Sequence, residues 1–200
     1  MQAIKHKDIT AVILAGGQGR RMGGEDKGLI EFDGRAIIEI LIEKLKQQNV
    51  EIIINANRNH DIYQSYGLPV VSDQLADFQG PLAGFATAIN AVSTDYILTL
   101  PCDGPFLVDD FVDLFIDAQA RQQSQISVAD DGERLQPVYA LIDVKLLDSL
   151  NRFLQSGDRK IDRWYAQHDY ARVDFSTRKN MFGNINRPED QQTLLNQKNQ

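Results

Sequence analysis

One cysteine, Cys102, is too few for an intrachain disulfide or a cysteine-based zinc cluster. The histidines His6, His60 and His168 show neither metal-ligand spacing nor a partnered nucleophile, so each reads as a surface or packing residue. Apolar runs fall far short of the ~20 residues that span a bilayer. The polar start Met1-Gln2-Ala3-Ile4-Lys5-His6-Lys7 has no signal-peptide core, so a cytoplasmic protein with no membrane partner is expected. Positive charge is scarce too: 21 Lys and Arg stand against 28 Asp and Glu, a formal charge of −7. That balance speaks against a nucleic-acid partner, because such surfaces neutralise many phosphates with clustered cations. Internal repeats and low-complexity linkers are also missing, and 42% hydrophobic with 24% charged residues fits one compact domain over residues 1–200.

What stands out is the segment Ile9-Thr10-Ala11-Val12-Ile13-Leu14-Ala15-Gly16-Gly17-Gln18-Gly19-Arg20-Arg21-Met22-Gly23-Gly24-Glu25-Asp26-Lys27. An apolar, β-branched run opens into a stretch with five glycines, two arginines and a lysine, the composition of a buried strand feeding an anion-binding loop. Glycines let backbone N–H groups approach ligand oxygens, while Arg20, Arg21 and Lys27 supply the local charge a polyphosphate needs. Two better-known phosphate loops do not fit. Lys27 follows Asp26 and precedes Gly28, so the Walker pattern fails, and Met22 stands where the dinucleotide pattern beginning at Gly17 needs its third glycine.

Downstream, apolar residues Ile37, Ile38, Leu41, Ile42 and Leu45 recur at helical spacing, after a strand-like Leu29 to Phe32. Val50 to Ile54, Pro69 to Ser72 and Tyr96 to Leu100 read as strands, with an alanine-rich helix over Leu82 to Val92. Phe111 to Gln119 suggests a helix, and Gln125 to Ala129 and Gln136 to Ile142 two strands across a turn. Val144 to Leu154 reads as a helix ended by Gly157, and a short helix holds Ile161, Trp164 and Tyr165. Tyr170 to Phe175 reads as a strand, and Pro188 opens a last helix to about Leu195. This alternation predicts a three-layer α/β/α, Rossmann-like fold with a mostly parallel sheet. Ligands in such folds bind beyond the carboxyl ends of the strands, so Gly16, Asn55, Asp73 and Asp103 are expected on one edge.

The loop resembles the signature of the nucleotidyltransferases, and within them most resembles the molybdenum cofactor guanylyltransferases. Leu14-Ala15-Gly16-Gly17, Arg21-Met22-Gly23-Gly24 and Asp26-Lys27-Gly28-Leu29 carry the likeness. Asn55-Ala56-Asn57-Arg58, Ser72-Asp73, Gly80-Pro81-Leu82-Ala83-Gly84, Pro101-Cys102-Asp103, Asp131-Gly132-Glu133-Arg134 with Gln136-Pro137, and Asn184-Ile185-Asn186 extend it along nearly the whole chain. The family often has Thr or Met after the aspartate where this chain has Gly104, and a small residue where it has Arg20.

The resemblance implies transfer of GMP from GTP to molybdenum-molybdopterin with release of pyrophosphate. It implies Asp103 as the ligand of Mg²⁺, a role one carboxylate plus substrate phosphates can fill. Lys27, Asp103 and Arg21 become the catalytic candidates, and Leu14, Ala15, Gly16, Gly17, Lys27, Asn55, Asp73 and Asp103 the GTP-binding set. Arg21, Gly24, Asn184 and Asn186 are implied on the acceptor side. Residues of about 9–105 then form a GTP-binding half and about 106–195 an acceptor half. Molybdenum-cofactor assembly proteins and apo-molybdoenzymes follow as implied partners. Cytidylyl transfer to the same cofactor, nucleotidyl transfer to a sugar phosphate, and a non-catalytic GTP-binding module remain the alternatives.

Overall fold

The computed structural model describes residues 3–17, 25–73, 80–185, 190, 191 and 194. In chain order the main elements are β1 (Ile9–Leu14), β2 (Glu31–Phe32), β3 (Arg35–Ala36), α1 (Ile37–Gln47), β4 (Glu51–Asn55), α2 (His60–Gln64) and β5 (Val70–Val71). They continue with α3 (Pro81–Ala91), β6 (Tyr96–Pro101), α4 (Phe111–Gln122), β7 (Ile126–Asp130), β8 (Leu135–Asp143), α5 (Leu147–Gln155), α6 (Ile161–Tyr165) and β9 (Tyr170–Asp174). A seven-stranded sheet has the order β5-β4-β1-β6-β8-β7-β9. Its pairings are parallel except that β8 runs antiparallel to both β6 and β7.

Strand residues alternate between two cores, as the two-residue period of a pleated strand requires. On β1, Ile9, Ala11 and Ile13 join one core with Ile38 and Leu41 of α1 and Phe111 and Phe115 of α4. Val12 points the other way, with Leu82 and Phe85 of α3, Leu150 and Phe153 of α5 and Trp164 of α6. Helices therefore cover both faces, giving the three layers expected from the alternation. The apolar stripe Ile37, Ile38, Leu41, Ile42 and Leu45 is the buried face of α1, with Glu39 in its first turn and Lys44 and Lys46 in its last, matching the helix dipole. Gly80, at φ +78°, turns the chain into α3, and Pro81 occupies the first helical turn, where its missing N–H costs nothing.

Two details differ from the sequence expectations. Leu29 to Phe32 is no continuous strand: Lys27–Leu29 forms a 3₁₀ turn, and only Glu31–Phe32 pairs, antiparallel with Arg35–Ala36. Asp33 and Gly34, at φ +53° and +77°, make the two-residue turn of that ribbon. The helix expected from Val144 begins as a 3₁₀ turn over Val144–Leu146, capped by the Asp143 side chain, before α5 proper. Most of the expected helix from Pro188 lies outside the described residues, although Asp190, Gln191 and Leu194 are helical. Among the described residues no helix is long and apolar enough to cross a membrane.

Candidate active site

Strand register builds the site. Val71, Asn55, Leu14 and Pro101 stand side by side across β5, β4, β1 and β6. Asp73, Asn57, Gly16 and Asp103 each lie two residues beyond that row. Parallel-type bonds carry the ladder past the strand ends: Ala15 N donates to Asn55 O (2.8 Å), Ala56 N to Val71 O (2.9 Å) and Cys102 N to Leu14 O (3.2 Å). Polar residues distant in sequence thus converge on the carboxyl edge, the place where open α/β sheets bind their ligands.

The left side of this edge is an amide–carboxylate cluster. Asn55 Nδ2 donates to Asp73 Oδ1 at 2.9 Å, and Asn57 Nδ2 to Asp73 Oδ2 at 2.8 Å. Asn57 Oδ1 in turn accepts from Asp73 N at 2.8 Å, and Thr87 of α3 donates to Asp73 Oδ1 at 3.4 Å. Each oxygen of the Asp73 carboxylate is engaged, which fixes the carboxylate and the two amides as one unit. Asn57 and Thr87 were not singled out from the sequence. Asn57 carries a signal in hindsight, because it repeats Asn55 at a spacing of two just past a strand end.

Helix α3 closes over this cluster through Gly84. A Cβ there would stand 2.7 Å from Asn55 Oδ1 and 2.9 Å from Leu14 Cδ2, distances below any ordinary contact. Gly84→Ala should therefore force the Asn55 and Leu14 side chains, or α3 itself, to shift, costing about 1–3 kcal/mol of stability as an overpacked contact. Thermal unfolding of the variant checks this, and an unchanged melting point would mean the helix approaches less closely than described.

The right side holds the charged pair. Lys27 Nζ donates to Asp103 Oδ2 at 2.8 Å, with the side chains 26% and 11% exposed. Asp103 Oδ1 is buried and has no hydrogen-bond partner among the described residues. The chain returns here from its far end: Ile185 N donates to Asp103 O at 2.9 Å, which places Asn184 next to the aspartate. A Cβ at Gly104 would stand 2.9 Å from Tyr139 Oη and 3.2 Å from Asn184 Oδ1. This close approach accounts for glycine at a position where the resembling family often has Thr or Met. Asn184 Oδ1 is likewise buried without a partner among the described residues.

Cys102 lies under the pair at 6% exposure. Burial first, then the charges of Asp103 and Asp26, push its thiol well above the usual range, so it stays a neutral packing group rather than a nucleophile. The Tyr139 hydroxyl is raised by burial and by the Asp103 charge, and remains a phenol at any physiological pH. The structure thus gathers Leu14, Ala15, Gly16, Asn55, Asp73, Lys27, Asp103 and Asn184 along one edge. Gly17 follows Gly16, and a Cβ there would meet no atom of the other described residues within 4 Å. Arg21, Gly24 and Asn186, with Arg20, lie outside the described residues.

The chain matches the family model of the MobA-like NTP transferase domain over residues 11–173. It is 48% identical over 192 residues to a molybdenum cofactor guanylyltransferase from Shewanella sp. strain MR-4, covering 96% of this chain and 98% of that protein. A protein of the same name from Shewanella baltica strain OS155 is 48% identical over 186 residues, covering 93% and 95%. Among solved structures, molybdopterin-guanine dinucleotide biosynthesis protein A from Archaeoglobus fulgidus superposes with a TM-score of 0.78 at 18% identity. That superposition covers 95% of this chain and 98% of the other, a likeness in fold.

Proposed function

This chain belongs to the molybdenum cofactor guanylyltransferases, within the MobA-like NTP transferase family, and on that premise we infer that it transfers GMP from GTP to molybdenum-molybdopterin. The products are the guanine dinucleotide form of the cofactor and pyrophosphate. An oxygen of the acceptor's terminal phosphate forms the new bond to the α-phosphorus of GTP, and the bond from that phosphorus to the bridging oxygen of the β-phosphate breaks. The attacking oxygen is already anionic, so no general base is needed and the chain's task is alignment and charge stabilisation. The observation that carries this reading is the strand-end row, which sets a lysine–aspartate pair beside an amide–carboxylate cluster on one edge.

Membership of this transferase family implies a divalent metal. We assign Mg²⁺ to that role, with Asp103 as its protein ligand. The residues fit: Asp103 Oδ1 is a hard anionic oxygen, buried and without a hydrogen-bond partner among the described residues. No group of three His, Cys, Asp or Glu able to hold a metal occurs among the described residues, so substrate phosphates and water would have to supply the other oxygens. The ion would supply positive charge against the triphosphate. Lys27 contributes its ammonium to the α- and β-phosphates. Leu14 to Gly17 wrap the nucleotide, and Asn55 and Asp73 recognise guanosine. We assign Asn184 to the acceptor side, and Arg21, Gly24 and Asn186 to it on the resemblance alone. On this assignment residues of about 9–105 form the GTP half and about 106–195 the acceptor half of one domain.

Guanine offers an N1–H and an exocyclic amine that adenine lacks in that arrangement, so a site built for them leaves buried groups unpaired when ATP enters. Replacing Asn55 and Asp73 together with alanine should weaken GTP binding about tenfold or more and narrow the gap between GTP and ATP. Because the two side chains bond each other, each single change should do most of what the double change does. Competition binding of GTP against ATP and CTP in the three variants measures both effects. An unchanged selectivity ratio would move base recognition to the backbone near Leu14 and Ala15.

A further inference from the structure

Lys27 Nζ donates to Asp103 Oδ2, but a flexible four-carbon stem separates that ammonium from the backbone, so its aim also depends on how the backbone is held. The neighbouring residue supplies that backbone restraint. Asp26 is 8% exposed and both of its carboxylate oxygens are engaged. Oδ1 accepts from Tyr63 Oη at 2.6 Å and from Gly28 N at 3.3 Å. Oδ2 accepts from Asn59 Nδ2 at 2.9 Å and faces Arg58 Nε at 3.5 Å. Arg58 Nη2 also donates to Glu25 O at 2.8 Å, so the same arginine grips the residue before Asp26.

These partners come from one place. Asn59, at φ +52°, caps the start of α2, Arg58 precedes it, and Tyr63 lies within the helix, fully buried. Burial pushes the Tyr63 hydroxyl far above the usual phenol range, so it remains a proton donor to the carboxylate. The bond from Gly28 N back to Asp26 Oδ1 closes a local turn around Lys27, and Leu29 N donates to Asp26 O at 3.0 Å. Lys27 is thus the crest of a turn whose base is fastened to α2.

We infer that Asp26 is a positioning residue for Lys27: with Tyr63, Asn59 and Arg58 it fixes the backbone from which Lys27 reaches the Asp103 side of the site. The inference deepens the guanylyl-transfer reading and, for its effect on rate, rests on it. Asp26→Asn keeps the shape and the Oδ1 acceptor but removes the charge facing Arg58 and sets an amide against Asn59. Tyr63→Phe keeps the buried ring and removes only the 2.6 Å bond.

The first test needs no turnover. The rate at which an N-hydroxysuccinimide ester acetylates Lys27 in the full chain, followed residue by residue by mass spectrometry, should rise several-fold in Asp26→Asn and by a smaller factor in Tyr63→Phe. Lys44 and Lys160, remote from the turn in sequence, serve as internal standards and should not change. The second test is a double-mutant cycle on kcat for GMP transfer. Asp26→Asn should lower kcat up to ~10²-fold, the scale of a 1 Å misplacement, in the wild-type background and have little further effect when Lys27 is already alanine. A general structural role would lower both backgrounds equally. Unchanged acetylation of Lys27 in both variants, or full additivity in the cycle, overturns the inference. If acetylation rises while the wild-type chain transfers no GMP, the positioning stands and the guanylyl-transfer reading falls.

Discussion

Asp103→Asn will lower turnover by at least about a hundredfold, equivalent to ~2.7 kcal/mol of lost transition-state stabilisation, while the melting point moves by only a few degrees. The structure gives the reason for both halves. Asn keeps the size of the side chain and an acceptor oxygen for Lys27 Nζ, now 2.8 Å from Asp103 Oδ2, and leaves the backbone bond from Ile185 N to the residue's carbonyl in place. It removes the charge from Oδ1, the buried oxygen with no partner among the described residues and the one assigned to Mg²⁺. Mn²⁺ titrated into the wild-type and variant chains with GTP should show the same loss as weaker metal binding. Turnover above about a tenth of wild type would remove Asp103 from the metal assignment.

Lys27→Ala should lower kcat by roughly 10²–10³-fold, a loss of ~2.7–4 kcal/mol of the kind seen when one charge-stabilising donor is removed, with a much smaller change in GTP affinity. An ammonium placed at the α- and β-phosphates matters most as negative charge moves toward the leaving pyrophosphate, so its loss falls on the transition state rather than the ground state. The variant also strips the Lys27 bond from Asp103 Oδ2, leaving both oxygens of a carboxylate at 11% side-chain exposure without a hydrogen-bond partner among the described residues. A modest drop in melting temperature is therefore expected with the rate loss. Single-turnover rates at saturating GTP, set beside equilibrium binding of a non-hydrolysable GTP analogue, separate the two effects. A raised KM with unchanged kcat would make Lys27 a uniform binding residue.

Much of this architecture was legible because its signals are local and dense. The β1 run opening into glycines, the apolar stripe of α1 and the Gly80-Pro81 start of α3 each follow from short-range rules. The row that joins Val71, Asn55, Leu14 and Pro101 could be anticipated only as a tendency, because strand register depends on contacts between segments far apart in the chain. Of the β2–β3 ribbon only the first strand is legible, inside the strand-like Leu29 to Phe32; the two residues of β3 leave no alternation to detect despite the Asp33-Gly34 turn. Asn57 and Asp26 were visible only as members of matched segments. Their importance lies in partners, Asp73 for one and Tyr63, Asn59 and Arg58 for the other, that no spacing rule brings together. Asn184 reaches Asp103 by the return of the chain after β9, again a nonlocal event.

The most direct measurement is acceptor-dependent pyrophosphate release by the purified chain with Mg²⁺ and molybdenum-molybdopterin, run in parallel with GTP, CTP, ATP and UTP. Guanylyl transfer predicts pyrophosphate from GTP alone at appreciable rate, only when the acceptor is present, and in equal amount to the guanine dinucleotide formed. Preference for CTP would replace guanylyl with cytidylyl transfer, and GTP binding without acceptor-dependent pyrophosphate would reduce the chain to a nucleotide-binding module.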